Sequence, residues 1–212
     1  MRSKFIFGVC ILLGLSKIAY PLNNNKQTLE IKKTDQALHI DGVLDEDVWS
    51  SAAIAKNFIQ FEPYNGQSPS LPTEVKVLYD DHAIYFGAVM YDNHPDSIIK
   101  DLGVRDEFSS LNSDLFTVII STFNDGVNAS EFMVSASGVQ SDGKHNGNRM
   151  DKNWDAVWES KVNITEFGWV VEMKIPYSAL RFSKNGDQTW GIHFFRHIRR
   201  HREWSTWNYV DN

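Results

Sequence analysis

Three tryptophans, Trp154, Trp204 and Trp207, are candidates for ligand-binding side chains. Trp154 follows a stretch from 138 to 153 that is rich in Gly, Asn, Asp and His, a composition that predicts a loop. Binding residues concentrate in loops, so we expect this indole to be exposed. Trp204 and Trp207 are three residues apart, so only one of them can face the core from a strand. An exposed indole can stack on the C–H face of a sugar or pack on another domain, and the sequence gives both equal weight.

Three carboxylates, Asp80, Asp81 and Asp142, could offer oxygen ligands to a metal ion. Asp80 and Asp81 lie between two apolar segments, and Asp142 shares a polar stretch with Asn146 and Asn148. Calcium prefers such oxygen ligands, although no spacing here approaches a twelve-residue calcium loop. The same residue types are also common in ordinary turns. A structural calcium ion and plain turns therefore both stay open.

Arg196 lies among apolar residues in the last strand-like segment of the chain. The alternation there places its side chain on the same face as Phe194 and Ile198. A buried guanidinium without a partner would be too costly, so we predict an ion pair with a carboxylate such as Asp114. The alternative is a clamp for a ligand, and the buried structural ion pair is the favoured interpretation.

The chain has no recognisable catalytic motif. It contains no nucleophile elbow, phosphate-binding loop or dinucleotide-binding fingerprint. A glycosidase needs two carboxylates that converge on one cleft. The acidic residues here are spread over predicted turns, so the sequence gives no reason to choose any two of them as a catalytic pair. We therefore predict that this chain is not an enzyme.

The first sixteen residues have the composition of a secretory signal peptide. Arg2 and Lys4 precede an apolar run from 5 to 15 that is too short to span a membrane, and Ser16 is a possible cleavage point. Cys10, the single cysteine, lies inside this segment, so the remainder should form no disulfide. Removal of the segment would leave 19 of the 21 basic residues against 27 acidic ones, a net charge of −8 instead of −6. The sequence thus predicts an exported protein and disfavours a nucleic-acid partner.

The rest of the chain, from 29 to 212, is typical of a single all-β domain. Short apolar runs are separated by Asn, Asp and Gly turns, and few windows have helical periodicity. The segment from 153 to 182 predicts a hairpin with Trp158 and Trp169 facing the core, followed by a helical turn that starts near Pro176. We predict an antiparallel β-sandwich, jelly-roll-like, with one or two short helical turns.

Four segments in order resemble the family 9 carbohydrate-binding modules: IDGVLDEDVW (40–49), RDEFSSLNSDLFTVIIST (105–122), EFMVSASGVQSDG (131–143) and GWVVEMKIPYSALRF (168–182). The resemblance implies a β-sandwich of the carbohydrate-binding-module type, often stabilised by calcium, that holds a sugar ring between two tryptophans. Leu111 stands where one of these tryptophans is expected, and Trp204 or Trp207 could supply the other. Met133 and Ser135 stand where Arg and Asn are more usual in sugar-binding members.

The resemblance is strongest to the N-terminal domains of an uncharacterised bacterial family whose C-terminal part looks like an outer-membrane β-barrel. It implies a link to polysaccharide catabolism, in which any hydrolysis of glycosidic bonds belongs to partner domains. Our leading hypothesis is an exported, non-catalytic, glycan-binding domain of the periplasm, outer membrane or extracellular space. The alternative is a structural or interaction domain that packs on such a barrel, or on another envelope partner, and binds no sugar.

Overall fold

The computed structural model describes residues 26–147, 149–183 and 189–211. Within these ranges the chain forms two β-sheets and short 3-10 helices, so the predicted all-β sandwich is confirmed. The strands are β1 Lys32–Lys33, β2 Ala53–Ala55, β3 Ile59–Glu62, β4 Thr73–Tyr79, β5 Ala83–Tyr91, β6 Leu115–Ser121, β7 Asn128–Ser135, β8 Gln140–Asn146, β9 Arg149–Asp151, β10 Glu159–Thr165, β11 Gly168–Pro176, β12 Gly191–Ile198 and β13 Glu203–Thr206. The predicted signal peptide, from 1 to 16, lies outside the described residues.

The two sheets are antiparallel except at one edge. The first sheet has the strand order β1-β4-β5-β11-β10, with β2 also paired to β4, and its β1–β4 pair is parallel. The second sheet has the order β3-β13-β12-β6-β7-β8-β9. Neighbouring strands in both sheets come from distant parts of the sequence, for example β11 beside β5 and β12 beside β6. The fold is therefore held by long-range pairing rather than by consecutive hairpins alone.

The main core lies between the inner faces of the two sheets. Alternate residues of the central strands point into it, as period-two patterning requires, and Phe86, Phe116 and Phe194 meet there at ring-centroid distances of 5.9 and 6.1 Å. Trp158 and Trp169, predicted to face the core, are 6% and 0% exposed. Burial of these rings and their aliphatic neighbours supplies most of the apolar area that stabilises the sandwich.

A second apolar cluster covers the outer face of the first sheet. Trp49, from the 3-10 helix Asp47–Ser51, packs there with Leu78 and Tyr85. Glu172 of β11 is also buried on this side and accepts hydrogen bonds from the backbone N–H groups of Asp41 and Gly42 at 2.9 and 2.8 Å. The segment before Trp49 is thereby fixed against the sheet.

Two details of the sequence prediction need correction. The stretch from 138 to 153 was expected to be a loop, but most of it forms the hairpin of β8 and β9, because β7 supplies a paired neighbour that this polar sequence does not announce. The described residues also contain more short helices than the one or two predicted, namely the 3-10 helices Asp47–Ser51, Pro95–Ser97, Tyr177–Ala179 and Arg199–His201. In the part of the chain that the structure describes, no helix has the length and apolarity needed to cross a membrane.

Candidate functional site

Asp142 fixes the segment that carries Trp154. This carboxylate of β8 is 1% exposed and accepts hydrogen bonds from the Ala156 N–H at 2.8 Å and from the Trp158 Nε1–H at 2.9 Å. It also forms an ion pair with Arg105, whose guanidinium reaches the Ala156 carbonyl at 3.1 Å. Both ends of the short Trp154 segment are thus tied to the sheet, the first by β9 and the second by Asp142. The indole is therefore held in place although it lies outside any strand.

Trp154 lines a cleft at the open edge between the two sheets, which we call the Trp154 cleft. The indole is half-buried and packs edge-to-face on the core residue Phe132 at 5.9 Å between ring centroids. The Lys144 Nζ lies 4.4 Å from the centroid of the indole, in a cation–π contact. The cleft has a volume of about 320 Å³ and is lined by Lys144, Trp154, Asp155, Ala156, Val157, Ser178, Ala179 and Arg181.

This composition suits a small polar ligand. Pockets for small molecules combine apolar or aromatic surface with a few convergent polar groups, and their volumes start near 300 Å³. Here the indole supplies the flat apolar surface, while the Ser178 hydroxyl and the Lys144 and Arg181 cations supply hydrogen-bond donors. The sequence analysis identified Trp154 but missed Lys144 and Arg181, because nothing in their spacing indicates that β8 and the residues after β11 meet at this edge.

Trp204 and Trp207 lie elsewhere, and the structure separates their roles. Trp207 is 4% exposed and packs on Phe194 in the core, so its ring is not available to a ligand. Trp204 of β13 is half-buried on the outer face of the second sheet and stacks on His197 at 4.2 Å with an interplanar angle of 7°. The expectation that only one of the two would face the core is therefore confirmed, and Trp204 is the accessible one.

Trp154 and Trp204 do not share a groove. Trp154 packs on Phe132, whose side chain points to the inner face of the second sheet, whereas Trp204 lies on the outer face. Strands β12, β6 and β7 also separate β13 from β8. With strands spaced about 4.8 Å apart, the two rings cannot hold one sugar between them. A sugar-binding site that uses these tryptophans is therefore built on one of them, not on both.

The resemblance matched three positions to sugar contacts, Leu111, Met133 and Ser135, and they lie on or near the outer face of the second sheet. On that face Met133 of β7 pairs with Thr117 of β6, and Thr117 pairs in turn with Phe195 of β12. Ser135 is fully buried, and its hydroxyl is engaged by Ser137 and by the Val139 N–H. Leu111 lies at the end of the sheet, against Gly103. The positions that the resemblance matched to sugar contacts therefore present mainly apolar or already bonded side chains.

The described residues contain no group of side chains that forms a calcium site. Asp80 accepts hydrogen bonds from the His82 and Ala83 N–H groups and from the Tyr85 hydroxyl, at 2.7, 2.7 and 2.9 Å. Asp81 pairs with Lys33 at 2.8 Å, and Asp142 is engaged as described above. Within these ranges no group of three or more His, Cys, Asp or Glu side chains is placed to hold a metal ion. The three carboxylates act as turn, ion-pair and anchoring residues.

Arg196 is buried as predicted, but its partner is not Asp114. The residue is 0% exposed, and its guanidinium donates to the carbonyl oxygens of Pro72 at 2.7 Å and Tyr91 at 2.8 Å, and to the Thr73 hydroxyl at 3.2 Å. No ion pair within 4.0 Å joins it to Asp114 in the described structure. The predicted pair is wrong because main-chain carbonyls of the first sheet lie closer to the guanidinium. Arg196 therefore connects the two sheets.

Asp114 instead caps the backbone at the end of β12. One carboxylate oxygen accepts a hydrogen bond from the Arg199 N–H at 2.9 Å, while the other has no hydrogen-bond partner among the described residues. Burial raises the pKa of Asp114 to about 6, against the opposing effects of this hydrogen bond and of Arg196. The ion pair that the sequence did not identify joins Arg200 to Asp92 at 2.6 and 2.8 Å in a bidentate geometry.

His197 leads to a prediction about acid stability. Burial first, and then the nearby Arg199, lowers the pKa of His197 to about 4. An unfolded histidine titrates near 6.5, so between about pH 6.5 and 4 the unfolded chain binds a proton that the folded protein does not. The unfolding free energy should therefore fall as the pH falls through this window. In His197→Gln we expect this slope to be smaller by up to about 1.4 kcal/mol per pH unit, measured by urea denaturation.

The matched control for this experiment is His39→Gln, which changes an exposed histidine. Asp114 acts in the opposite direction in the same range, because its raised pKa lets the folded protein bind the additional proton. That contribution is common to both variants and cancels in the comparison. An unchanged slope in His197→Gln would contradict the burial of a neutral imidazole.

The fold defines this protein as a β-sandwich domain, and comparisons with known proteins identify its family. The model of the family described as "Carbohydrate family 9 binding domain-like" matches residues 40–198. The match covers well over half of the chain, which therefore belongs to the carbohydrate family 9 binding domain-like family. Members of this family are binding modules and not enzymes. None of the curated proteins compared with this chain matches it.

Solved structures show the same fold at low sequence identity. A family 9 carbohydrate-binding module from Caldicellulosiruptor kristjanssonii in complex with cellotriose is 18% identical, with a TM-score of 0.59, and the match covers 86% of this chain and 84% of that one. The same module in complex with glucose gives the same identity and TM-score, with 86% of each chain covered. A proposed carbohydrate-binding protein from Bacteroides uniformis is 12% identical, with a TM-score of 0.65, covering 85% of this chain and 88% of that one.

Proposed function

We propose that this carbohydrate-binding domain binds a glycan in the Trp154 cleft and has no catalytic role. The observation that carries the proposal is the half-buried Trp154 indole in a cleft of about 320 Å³ lined by hydrogen-bond donors. A sugar presents an apolar C–H face to an aromatic ring and hydroxyls to the surrounding polar groups. Membership of the family supports a sugar as the ligand, as do the cellotriose and glucose bound by structural neighbours.

Binding through one aromatic ring should be weak. With Trp154 as the single stacking surface, we expect dissociation constants of roughly millimolar to tens of micromolar, or about 4 to 7 kcal/mol of binding free energy. Replacing Trp154 by Ala should weaken binding by about tenfold or more, since the stacking surface is lost. Isothermal titration calorimetry with glucose, cellotriose and other neutral oligosaccharides tests this prediction, with circular dichroism to establish that the variant is folded.

Trp204→Ala is the matched control, because it removes the accessible indole of the outer face and leaves the Trp154 cleft intact. The proposal requires Trp204→Ala to bind as the wild type does. If Trp204→Ala loses binding while Trp154→Ala keeps it, the glycan site lies on the outer face of the second sheet instead.

The proposal also includes export to the bacterial cell envelope and a role in polysaccharide catabolism. The support for export is the signal-peptide composition of residues 1–16, with Arg2 and Lys4 before the apolar run. Fractionation of cells that express the full chain tests this part, since an exported protein should be found outside the cytoplasm and shortened at its N-terminus. Retention of the unprocessed chain in the cytoplasm would exclude export.

An interaction domain without sugar binding is the second candidate function. Leu102 and Val157, which are 86% and 87% exposed, are apolar side chains that such a partner would cover. The partner would be an outer-membrane barrel, in the same or a separate chain, or another envelope protein. A wild-type domain that binds no glycan in the calorimetric screen would favour this function over the first.

A further inference from the structure

The two cations of the Trp154 cleft lack partners of opposite charge. Lys144 lies over the indole and Arg181 lines the same cleft, yet neither forms an ion pair with any described residue. The carboxylate of Asp155 also lines the cleft, but it is bonded to Arg105 at 3.1 Å and is 76% exposed. Two cations that line one cleft beside an aromatic ring suit a ligand that brings its own negative charge.

The positive charges of Lys144 and Arg181 also repel each other. Burial, and then the charge of Arg181, lowers the pKa of Lys144 from its ordinary value. An anionic group bound near both side chains would remove this repulsion and replace water around the two charges with charge-assisted hydrogen bonds. Arg181 can hold a carboxylate or sulfate through its planar guanidinium, while Lys144 can reorient its ammonium group towards it.

The position of Lys144 adds a second reason for an acidic ligand. Its ammonium group covers one face of the Trp154 ring, the surface on which a sugar would stack. A neutral sugar that uses this face must displace the ammonium group without offering it a comparable partner. An acidic sugar displaces the same group from the ring but accepts its hydrogen bonds through the acidic substituent.

We propose that the Trp154 cleft selects an anionic sugar residue, with its ring on Trp154 and its acidic group bound by Lys144 and Arg181. This inference rests on the proposed glycan binding and specifies the class of sugar. A uronic acid and a sulfated sugar share the required chemistry, since each carries an anion next to a ring with an apolar face. Ser178, at the rim of the cleft, is placed to bond a ring hydroxyl.

The test compares three trisaccharides that share one ring skeleton and linkage. These are cellotriose, its counterpart oxidised to the uronic acid at each C6, and its 6-O-sulfated counterpart, each titrated calorimetrically into the wild-type protein. We expect at least one acidic form to bind about tenfold more tightly than cellotriose, the factor expected for one charge-assisted hydrogen bond. That preference should shrink as the salt concentration rises. A preference for the sulfated form supports the proposal and assigns the acidic group as a sulfate.

Three variants connect this preference to the residues. Lys144→Met and Arg181→Gln should each reduce the acidic preference several-fold, while Lys161→Met, which removes an exposed charge on β10, should keep it. Equal or weaker binding of both acidic trisaccharides by the wild type would overturn the proposal, as would a preference that survives in the Lys144 and Arg181 variants. The proposed function fails separately, if cellotriose binding does not depend on Trp154.

Discussion

Replacement of Arg196 by Met should lower the unfolding free energy by about 3 to 5 kcal/mol, which is the typical loss when one partner of a buried charged network is removed. The substitution keeps most of the side-chain volume but removes the guanidinium donors to the carbonyl oxygens of Pro72 and Tyr91, of which the Pro72 oxygen retains the Tyr91 N–H at 3.1 Å. It also leaves the buried Asp114 and Asp92 carboxylates with less compensating positive charge. Each buried acceptor without a donor costs about 1 to 3 kcal/mol.

Urea or thermal denaturation of the folded variant measures this loss. Arg199→Met is the matched control, since Arg199 is exposed and its side chain bonds only Asn112, at 2.9 Å, among the described residues. The control should lose less than about 1 kcal/mol. If Arg196→Met is no less stable than the control, then Arg196 does not connect the two sheets in the way described.

Replacement of Asp142 by Ala should have a comparable effect on stability and an additional effect on ligand binding. The change leaves the Ala156 N–H and the Trp158 Nε1–H without their acceptor, and it removes one of the carboxylates that pair with Arg105. We expect a loss of about 2 to 6 kcal/mol, because each of the two buried donors left without an acceptor costs about 1 to 3 kcal/mol. Since the same bonds fix the Trp154 segment, glycan affinity should fall even under conditions in which the variant is folded.

Asp155→Ala is the control for Asp142→Ala, because it removes an exposed carboxylate that bonds the same Arg105. It should cost less than about 1 kcal/mol. Chemical denaturation gives the stabilities of the two variants, and calorimetry at low temperature gives their affinities. Equal stability of the two variants would mean that Asp142 does not anchor the segment that carries Trp154.

Much of the sandwich could be predicted because its central strands are short, mainly apolar segments bounded by turn residues. Strand β5 is apolar on both faces, because the main core covers one face and the Trp49 cluster covers the other. In the hairpin of β10 and β11, burial of one face of β10 imposes a period of two on the sequence, and Trp158 and Trp169 face the core as their positions there indicated. The pattern therefore contains the information that determines the local structure.

The polar hairpin of β8 and β9 could not be predicted in this way. Residues from 140 to 151 include few apolar side chains, because this pair lies at the edge of the second sheet and buries little of its surface. Strand β8 forms because the backbone N–H and C=O groups of β7 pair with it, and the local sequence of the hairpin does not indicate this pairing. The same limitation applies to β3 and β13, which pair with each other across about 140 residues of sequence.

The candidate site could be predicted only in part for a related reason. The composition around Trp154 indicated an accessible indole, whereas its neighbours Lys144 and Arg181 come from segments whose proximity depends on the whole topology. In the case of Arg196, periodicity predicted burial but could not distinguish a carboxylate from two main-chain carbonyls as the partner. The separation of Trp204 from Trp154 follows from the strand order of the second sheet, which no local pattern in the sequence specifies.

The most direct test of the glycan-binding proposal is a titration observed through the indole N–H signals in a two-dimensional ¹H–¹⁵N NMR spectrum. The Trp154 and Trp204 signals are assigned from the spectra of Trp154→Phe and Trp204→Phe, and cellotriose and its C6-oxidised counterpart are then added to the wild type. We predict that the Trp154 signal shifts progressively and saturates while the Trp204 signal stays in place. Saturable shifts of the Trp204 signal alone, or no shift of either signal with both trisaccharides, would contradict a glycan site in the Trp154 cleft.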